Sequence, residues 1–166
     1  MNPIKSFSLD VEGLGIIFYS PFATASIAEG DDYLERQFFD PDLVAAQAVE
    51  GRIVGVSTGT PGRFLMNVYR GYPEEAVVEK HDFKLRLGIE VRDRMLCIRD
   101  LYDLMDWRST CPPGQSIELD DGFYHVTLLS SEPASGVMGD NQLVGIYLQQ
   151  LPEMPKLRYS GVPTLC

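Results

Sequence analysis

The sequence predicts an all-β protein, an antiparallel β-sandwich of about eight or nine short strands with one or two short helices. Apolar and polar residues alternate along many short segments, and turn-forming residues separate these segments about every ten residues. The chain also contains 15 glycines and 11 prolines in 166 residues. This content is typical of short elements joined by tight turns.

The predicted strands cover most of the chain. Phe7–Val11 alternates between apolar and polar residues, and Ile16–Tyr19 is a short apolar run typical of a central strand. Further strands are predicted, in chain order, at residues 52–56, 64–69, 77–87, 95–98, 115–119, 123–129 and 143–148.

Two turns predict hairpins, and two segments predict helices. The turn Ser57–Gly62 separates one pair of strands, and Asp120–Gly122 separates another. Asp40 is placed to cap a short helix that begins at Pro41, and a second short helical turn is predicted at Leu101–Trp107.

The length favours one domain. We predict a single β-sandwich domain over residues 1–150 and an irregular tail over residues 151–166. This tail contains Pro152, Pro155 and Pro163, and we expect it to pack across a sheet edge.

The net charge and the cysteine content indicate which partners and which cellular compartment suit this protein. With 24 acids against 14 bases, the net charge of −10 disfavours binding to nucleic acid or anionic membranes. The apolar run Leu14–Tyr19 is too short for a membrane span or a secretion signal. Cys97, Cys111 and Cys166 are odd in number and widely spaced, which argues against a disulfide framework. We therefore predict a cytoplasmic protein with reduced thiols.

Motifs for catalysis or cofactor binding do not stand out. The sequence shows no Gly-rich phosphate loop after a strand, no nucleophile elbow and no paired Cys-x-x-Cys. If the protein were an enzyme, His125 or Cys111 would be the candidate catalytic residue. We predict a non-enzymatic protein without a cofactor or metal. Calcium stays an alternative, because Asp31-Asp32, Asp40 with Asp42, and Asp120-Asp121 offer loop oxygens, although such residues also favour turns.

Two segments carry most of the negative charge. Residues 29–50 hold seven acids against Arg36, a net charge of −6, and residues 100–121 hold six acids against Arg108, a net charge of −5. The rest of the chain therefore sums to +1. Aromatic side chains lie among these acids, namely Tyr33, Phe38, Phe39, Tyr102 and Trp107.

Aromatic anchors surrounded by carboxylates are typical of a surface that binds a basic protein. The predicted partner-binding residues are Asp31, Asp32, Tyr33, Asp40, Asp42, Asp103, Asp106 and Trp107. The alternative is that both segments are solvated loops whose aromatic side chains point into the core. The sequence leaves open whether the two segments share a face.

The order of elements resembles a known family. An N-terminal strand pair leads to a helical segment, then to two strands, a charged strand, and two further strands; the segments that carry the pattern are Asp42–Gly51, Phe64–Tyr69, Lys80–Leu85, Gln115–Leu119 and Asp121–Val126. Over residues 7–148 this succession resembles the competence protein J family of acidic inhibitors of DNA-entry nucleases, and similar immunity proteins of bacterial toxin systems. The chain departs from that pattern in its acidic insertion at 29–40 and its Pro-rich tail.

The resemblance implies a non-enzymatic inhibitor, and the acid clusters independently predict a basic target such as a bacterial nuclease or toxin. The alternative function is a β-sandwich module that binds a small molecule or carbohydrate, with exposed aromatics stacking on sugar. The identity of the partner and the oligomeric state stay open at this point.

Overall fold

A computed structural model describes residues 2–166, which contain nine strands, four short α-helices and one 3₁₀ helix. The strands are β1 (Lys5–Val11), β2 (Gly15–Tyr19), β3 (Ile53–Ser57), β4 (Gly62–Arg70), β5 (Phe83–Val91), β6 (Met95–Asp100), β7 (Ser116–Glu118), β8 (Gly122–Ser130) and β9 (Gln142–Leu151). The α-helices are α1 (Pro21–Thr24), α2 (Tyr33–Gln37), α3 (Pro41–Glu50) and α4 (Glu75–Glu79), and the 3₁₀ helix is Leu101–Met105. The prediction of a strand-rich fold is confirmed.

The larger sheet has five strands in the order β1-β4-β9-β8-β5. Its neighbours are antiparallel except for β4 and β9, which run parallel with Leu65 opposite Leu143 and Tyr69 opposite Tyr147. The purely antiparallel arrangement expected from the sequence is therefore wrong at this pair. Local alternation shows that a segment is a strand but carries no signal for its direction beside a partner that is distant in sequence.

The smaller sheet has four strands in the order β3-β2-β6-β7. Both predicted hairpins are wrong, because β3 and β4 lie in different sheets and so do β7 and β8. Each turn connects two consecutive strands, but it carries the chain from one sheet to the other. Gly62 ends the first turn with a φ of 151°, and a Cβ there would lie 2.3 Å from the carbonyl oxygen of Gly139.

Two hydrophobic clusters lie on opposite sides of the smaller sheet. Strand β2 shows this clearly, since Ile16 and Phe18 belong to the first cluster and Ile17 and Tyr19 to the second. The first cluster draws side chains from both sheets, and the second includes residues of the helical segments. All five residues of β2 are consequently buried.

The helices are short and more numerous than the one or two expected. Helix α3 begins where predicted: the Asp40 carboxylate accepts the Asp42 N–H at 2.8 Å, Pro41 occupies the first turn, and Gly51 ends the helix at a φ of 67°. The 3₁₀ helix falls within the predicted turn Leu101–Trp107. Helices α1, α2 and α4 have four or five residues each, too few to produce a helical period in the sequence.

The C-terminal residues attach to the edge strand β3. The N–H of Ser57 donates to the carbonyl of Pro163 at 2.8 Å, and the N–H of Leu165 donates to the carbonyl of Ser57 at 2.9 Å. Leu165 is buried in the first cluster. The division into a domain at 1–150 and a tail at 151–166 stays a prediction.

Within residues 2–166, no helix has both the length and the apolar character that crossing a membrane requires.

Candidate partner-binding face

The two acidic segments meet through backbone hydrogen bonds. Gly30 N–H donates to the carbonyl of Trp107 at 2.6 Å, and Trp107 N–H donates to the carbonyl of Asp31 at 3.0 Å. The N–H of Ser109 donates to Glu29 Oε1 at 2.7 Å. Hydrogen bonds from Ser109 hold the pKa of Glu29 below its usual value. Parts of both segments therefore share one surface, which we call the acidic face and define as residues 29–39 and 102–109.

Two aspartates that precede helix α2 stabilise it within this face. Asp32 caps the helix by accepting the N–H of Glu35 at 3.1 Å. Asp31 pairs with Arg36 one turn further along the chain. Asp32 and Glu35 keep exposed side chains, so they present negative charge to solvent.

An apolar recess lies among these carboxylates. It has a volume of about 260 Å³ and is lined by Asp32, Leu34, Glu35, Phe39 and Met105. Phe39 is 80% exposed and Met105 is 44% exposed. Exposed apolar side chains rimmed by charge are typical of the centre and rim of a protein interface.

A buried arginine supports the face from below. Arg99 is 4% exposed; it donates to Asp103 Oδ2 at 2.8 Å, to Tyr19 Oη at 3.1 Å and to the carbonyl of Arg108 at 2.7 Å. Its guanidinium lies 4.4 Å from the ring centroid of Trp107. Burial raises the pKa of Tyr19, so its hydroxyl stays neutral and accepts from the arginine. The negative charge of Asp103 is therefore partly balanced inside the protein.

The acidic face contains six of the eight predicted residues, and four of these six side chains have no bond to the buried Arg99. These four are Asp31, Asp32, Tyr33 and Asp106. The hydroxyl of Tyr33 donates to Gln47 Oε1 at 3.1 Å, so this half-buried side chain is tied to α3. Asp106 is exposed and pairs with Arg108 across 3.1 Å.

The other four residues are placed differently. Asp103 faces Arg99, and Asp40 and Asp42 lie at the start of α3, where Asp40 is occupied as a cap. Trp107 is fully buried, packing edge-on against Tyr19 with ring centroids 5.4 Å apart. Its indole therefore supports the face and offers no contact surface to a partner. The sequence could not distinguish these roles, because an aromatic between two charged residues fits both a loop and a core position.

The recess also contains two residues that were missed. Leu34 and Met105 carry no signal in the sequence, since each is a single apolar residue in a short helical segment. Their exposure follows from the packing of α2 against the 3₁₀ helix. The sequence shows Phe39 as an aromatic residue within an acidic segment, but it does not show that Phe39 is the most exposed apolar side chain there.

The candidate enzyme residue His125 lies elsewhere, on β8 of the larger sheet. Its Nδ1 lies 2.6 Å from the hydroxyl of Tyr72, and burial together with Arg86 lowers the pKa of the imidazole. Among residues 2–166, no group of three or more His, Cys, Asp or Glu side chains is arranged to hold a metal ion.

Comparison with known proteins finds similarity in structure but not in sequence. No family model matches the chain, and no curated protein matches it by sequence. The structure is similar to that of ComJ from Bacillus subtilis, described as an inhibitor of the DNA-degrading activity of NucA, with a TM-score of 0.52 and 14% identity over 90% of this chain and 98% of ComJ.

A second solved structure shows a comparable similarity. The protein of crocagin biosynthetic gene J matches with a TM-score of 0.55 and 12% identity, over 86% of this chain and 95% of that chain. The predicted resemblance to the competence protein J family is thus confirmed for the fold.

Proposed function

We propose that this protein is a non-enzymatic inhibitor that binds a basic protein, a nuclease, through its acidic face. The observation that carries the proposal is the apolar recess of Phe39 and Met105, which the carboxylates of Asp32 and Glu35 flank. The similarity to ComJ, itself an inhibitor of a nuclease, supports the same function. An immunity role against a bacterial nuclease toxin is the specific form that the sequence predicts.

The proposed mechanism is competition for a cleft that binds DNA. A nuclease that binds polyanionic DNA offers a positively charged cleft, which attracts Asp32, Glu35 and Asp106. Phe39 and Met105 then become buried in the complex and supply the apolar contact that charge alone does not give. The net charge of −10 raises the rate of encounter with such a partner, most strongly at low salt.

We also propose a sandwich architecture and a cytoplasmic location, both of which the sequence predicts. The two sheets, which share the first hydrophobic cluster, are interpreted as the predicted β-sandwich, and the acidic face is formed by helical segments on the side of the second cluster. The proposal keeps the cytoplasm as the compartment, where the protein would protect the cell from the nuclease that it binds.

The test compares two triple variants with the same change of charge. The face variant is Asp32→Asn, Glu35→Gln and Asp106→Asn, in which asparagine can still cap α2. The matched control is Glu75→Gln, Glu79→Gln and Glu153→Gln, three exposed acids outside the acidic face. Each protein is titrated into DNA digestion by basic nucleases purified from the source cell, with NucA as the reference enzyme.

We expect the wild type and the control variant to inhibit at least one nuclease, and the face variant to need about tenfold more protein for the same inhibition, or about 1.4 kcal/mol of binding free energy. Equal inhibition by both variants would reject the acidic face as the binding surface. If no nuclease is inhibited by the folded wild type, the proposed function is wrong. A rise in melting temperature with a glycan or with calcium would then favour the binding-module alternative.

A further inference from the structure

A cluster of polar side chains lies on the larger sheet, outside the residues of the acidic face. Tyr72, Arg86 and His125 meet there, although they come from three different parts of the chain. The hydroxyl oxygen of Tyr72 lies 2.6 Å from Nδ1 of His125. The guanidinium carbon of Arg86 lies 5.0 Å from the centroid of the Tyr72 ring. The proposed inhibitor function uses none of these three side chains.

The two strands place Arg86 and His125 on the same side of the sheet. Leu87 and Val126, the next residue along each strand, are buried in the first hydrophobic cluster. Side chains alternate between the two faces of a strand, so Arg86 and His125 lie on the opposite, outer face. In the pairing of β5 with β8, Arg86 is opposite Thr127, two residues from His125. The two side chains are therefore diagonal neighbours on that face.

The connection from β4 to β5 brings Tyr72 to this pair. Residues 71–82 join these strands, which β9 and β8 separate in the sheet. Gly71 begins the connection with a φ of 90°, and its N–H donates to the carbonyl of Leu148 at 2.8 Å. Tyr72 follows directly, and its ring centroid lies 5.8 Å from that of His125 on β8. The ring stays 41% exposed, so solvent reaches the cluster.

Arg86 is held in place but has no acidic partner. Its Nε donates to Thr127 Oγ1 at 3.1 Å, and its guanidinium lies over the Tyr72 ring. Within residues 2–166, no carboxylate forms an ion pair with Arg86, and its two terminal nitrogens make no hydrogen bond. Two adjacent N–H groups of a fixed guanidinium match two oxygens of one oxyanion.

His125 adds a donor beside this guanidinium. A phenol is a stronger acid than a neutral imidazole, so the Tyr72 O–H donates to Nδ1 and the imidazole proton lies on Nε2. In the described part of the chain, Nε2 has no hydrogen-bond partner. Lys84 is exposed on the same side of β5, two residues before Arg86, and adds positive charge. The cluster therefore combines unused donors with a local excess of positive charge.

We propose that Arg86 and His125 bind a single phosphoryl group, either free phosphate or the phosphomonoester of a small molecule, with Tyr72 positioning both side chains. Arg86 donates to two phosphate oxygens, and Nε2 of His125 donates to a third. A tetrahedral phosphoryl group suits donors from two strands, because its oxygens do not lie in one plane as those of a carboxylate do. The net charge of −10 disfavours a polyanion such as DNA at this site. This inference does not depend on the proposed inhibitor function.

The first experiment follows the imidazole nitrogens of the full-length protein by NMR near neutral pH. Inorganic phosphate and adenosine monophosphate are titrated separately, with sodium chloride holding the ionic strength constant. We expect a saturable shift of His125 Nε2 with a half-saturation of about 1 mM or below. His81, whose Nδ1 is bonded to the carbonyl of Val77, serves as the internal control and should not shift. A lower half-saturation for the nucleotide assigns the site to a phosphomonoester, and equal values assign it to free phosphate.

Two variants with the same change of charge test the arginine. Arg86→Gln should raise the half-saturation about tenfold, because hydrogen bonds to a charged group are lost. Arg63→Gln removes another exposed arginine of the same sheet and should change it less than about twofold. Arg86→Lys keeps the charge but not the paired N–H groups, so it should also weaken binding. The amide spectrum of each variant shows whether it is folded.

Tyr72→Phe tests the positioning of the imidazole. The variant keeps the ring under Arg86 but loses the hydroxyl that fixes the proton on Nε2. The nitrogen shifts of His125 should move towards those of a mixture of tautomers, and the half-saturation should rise about threefold. A ring that only filled space would leave the nitrogen shifts unchanged.

Three results would overturn the inference. The first is a folded wild type in which neither probe produces a saturable shift of His125. The second is equal weakening by Arg86→Gln and Arg63→Gln. The third is tighter binding of a single-stranded oligonucleotide without a terminal phosphate than of adenosine monophosphate, which would make the cluster a site for a nucleic-acid backbone.

Discussion

Trp107 and Asp31 are joined by a backbone hydrogen bond of 3.0 Å, in which Trp107 donates its N–H to the carbonyl oxygen of Asp31. This bond and the adjacent one from Gly30 connect two segments that both carry excess negative charge. Like charges repel, so the segments need such fixed contacts to remain side by side. Arg99, which packs on the buried indole of Trp107 and pairs with Asp103, further reduces this repulsion. Its positive charge lies beneath the acidic face and offsets part of the negative potential there.

The first prediction compares two neighbouring aspartates. Asp103→Ala should lower the free energy of unfolding by about 2 kcal/mol, because Arg99 is buried and would lose a charged acceptor at 2.8 Å. Asp106→Ala should cost less than about 1 kcal/mol, because its pair with Arg108 is exposed on both sides. Urea denaturation of both variants checks the difference. Equal losses would show that Arg99 finds another acceptor.

The second prediction concerns the contact between Gly55 and Phe38. A Cβ at Gly55 would lie 2.5 Å from Cε1 of Phe38, so Gly55→Ala forces that buried ring to move. We expect a loss of about 1–3 kcal/mol in the free energy of unfolding. Because the cost arises at this contact, Gly55→Ala combined with Phe38→Leu should lose less than the sum of the two single variants. Strictly additive losses would contradict the contact as the cause.

The sequence predicted most strands well and their partners poorly. The strand predicted at residues 77–87 is wrong in its first part, because residues 77–79 belong to α4 and the strand β5 begins at Phe83. Alternation along segments such as Phe7–Val11 is a local property, so it survives in the structure as a strand with one buried face. The parallel pairing of β4 with β9, and the crossing of both predicted hairpins between sheets, depend on contacts between residues distant in the chain. No local pattern encodes such contacts.

The candidate site was predictable in composition but not in geometry. The charge excess at 29–50 and 100–121 can be counted from the sequence, whereas their hydrogen-bonded contact requires the fold. The same limit explains Trp107 and Phe39. Both are aromatic residues in acidic segments, yet one is fully buried and the other is 80% exposed. Trp107 packs against Tyr19 and Arg99, and these contacts exist only in the folded protein.

The third prediction is that Phe39, which is exposed while Trp107 is buried, contributes to binding and not to stability. Phe39→Ser removes an exposed apolar side chain, so the free energy of unfolding should change by no more than about 0.5 kcal/mol. Inhibition of the partner nuclease should weaken by tenfold or more, or about 1.4 kcal/mol, if this ring is an anchor of the interface. The exposed Val137 offers a control, since Val137→Ser removes apolar surface outside the acidic face. Unchanged inhibition by a folded Phe39→Ser protein would remove Phe39 from the proposed interface.

The fourth prediction is a dependence of stability on pH at His125. Burial, with a smaller effect of Arg86, lowers the pKa of this imidazole below its ordinary value of 6.5. When the pH falls through 6.5, the unfolded chain therefore binds a proton at His125 before the folded protein does, and folding becomes less favourable. The neutral ring retains its 2.6 Å contact with the Tyr72 hydroxyl above this range.

His125→Gln removes this titration while keeping a side chain that can accept a hydrogen bond from Tyr72. Urea midpoints measured between pH 8 and pH 5.5 should fall more steeply for the wild type than for the variant, with similar m-values. The difference should be a modest fraction of the total stability, because the imidazole is only partly buried and solvent screens its charge. Parallel curves, or a wild type that gains stability relative to the variant at low pH, would show that His125 is not held in its neutral form by the fold.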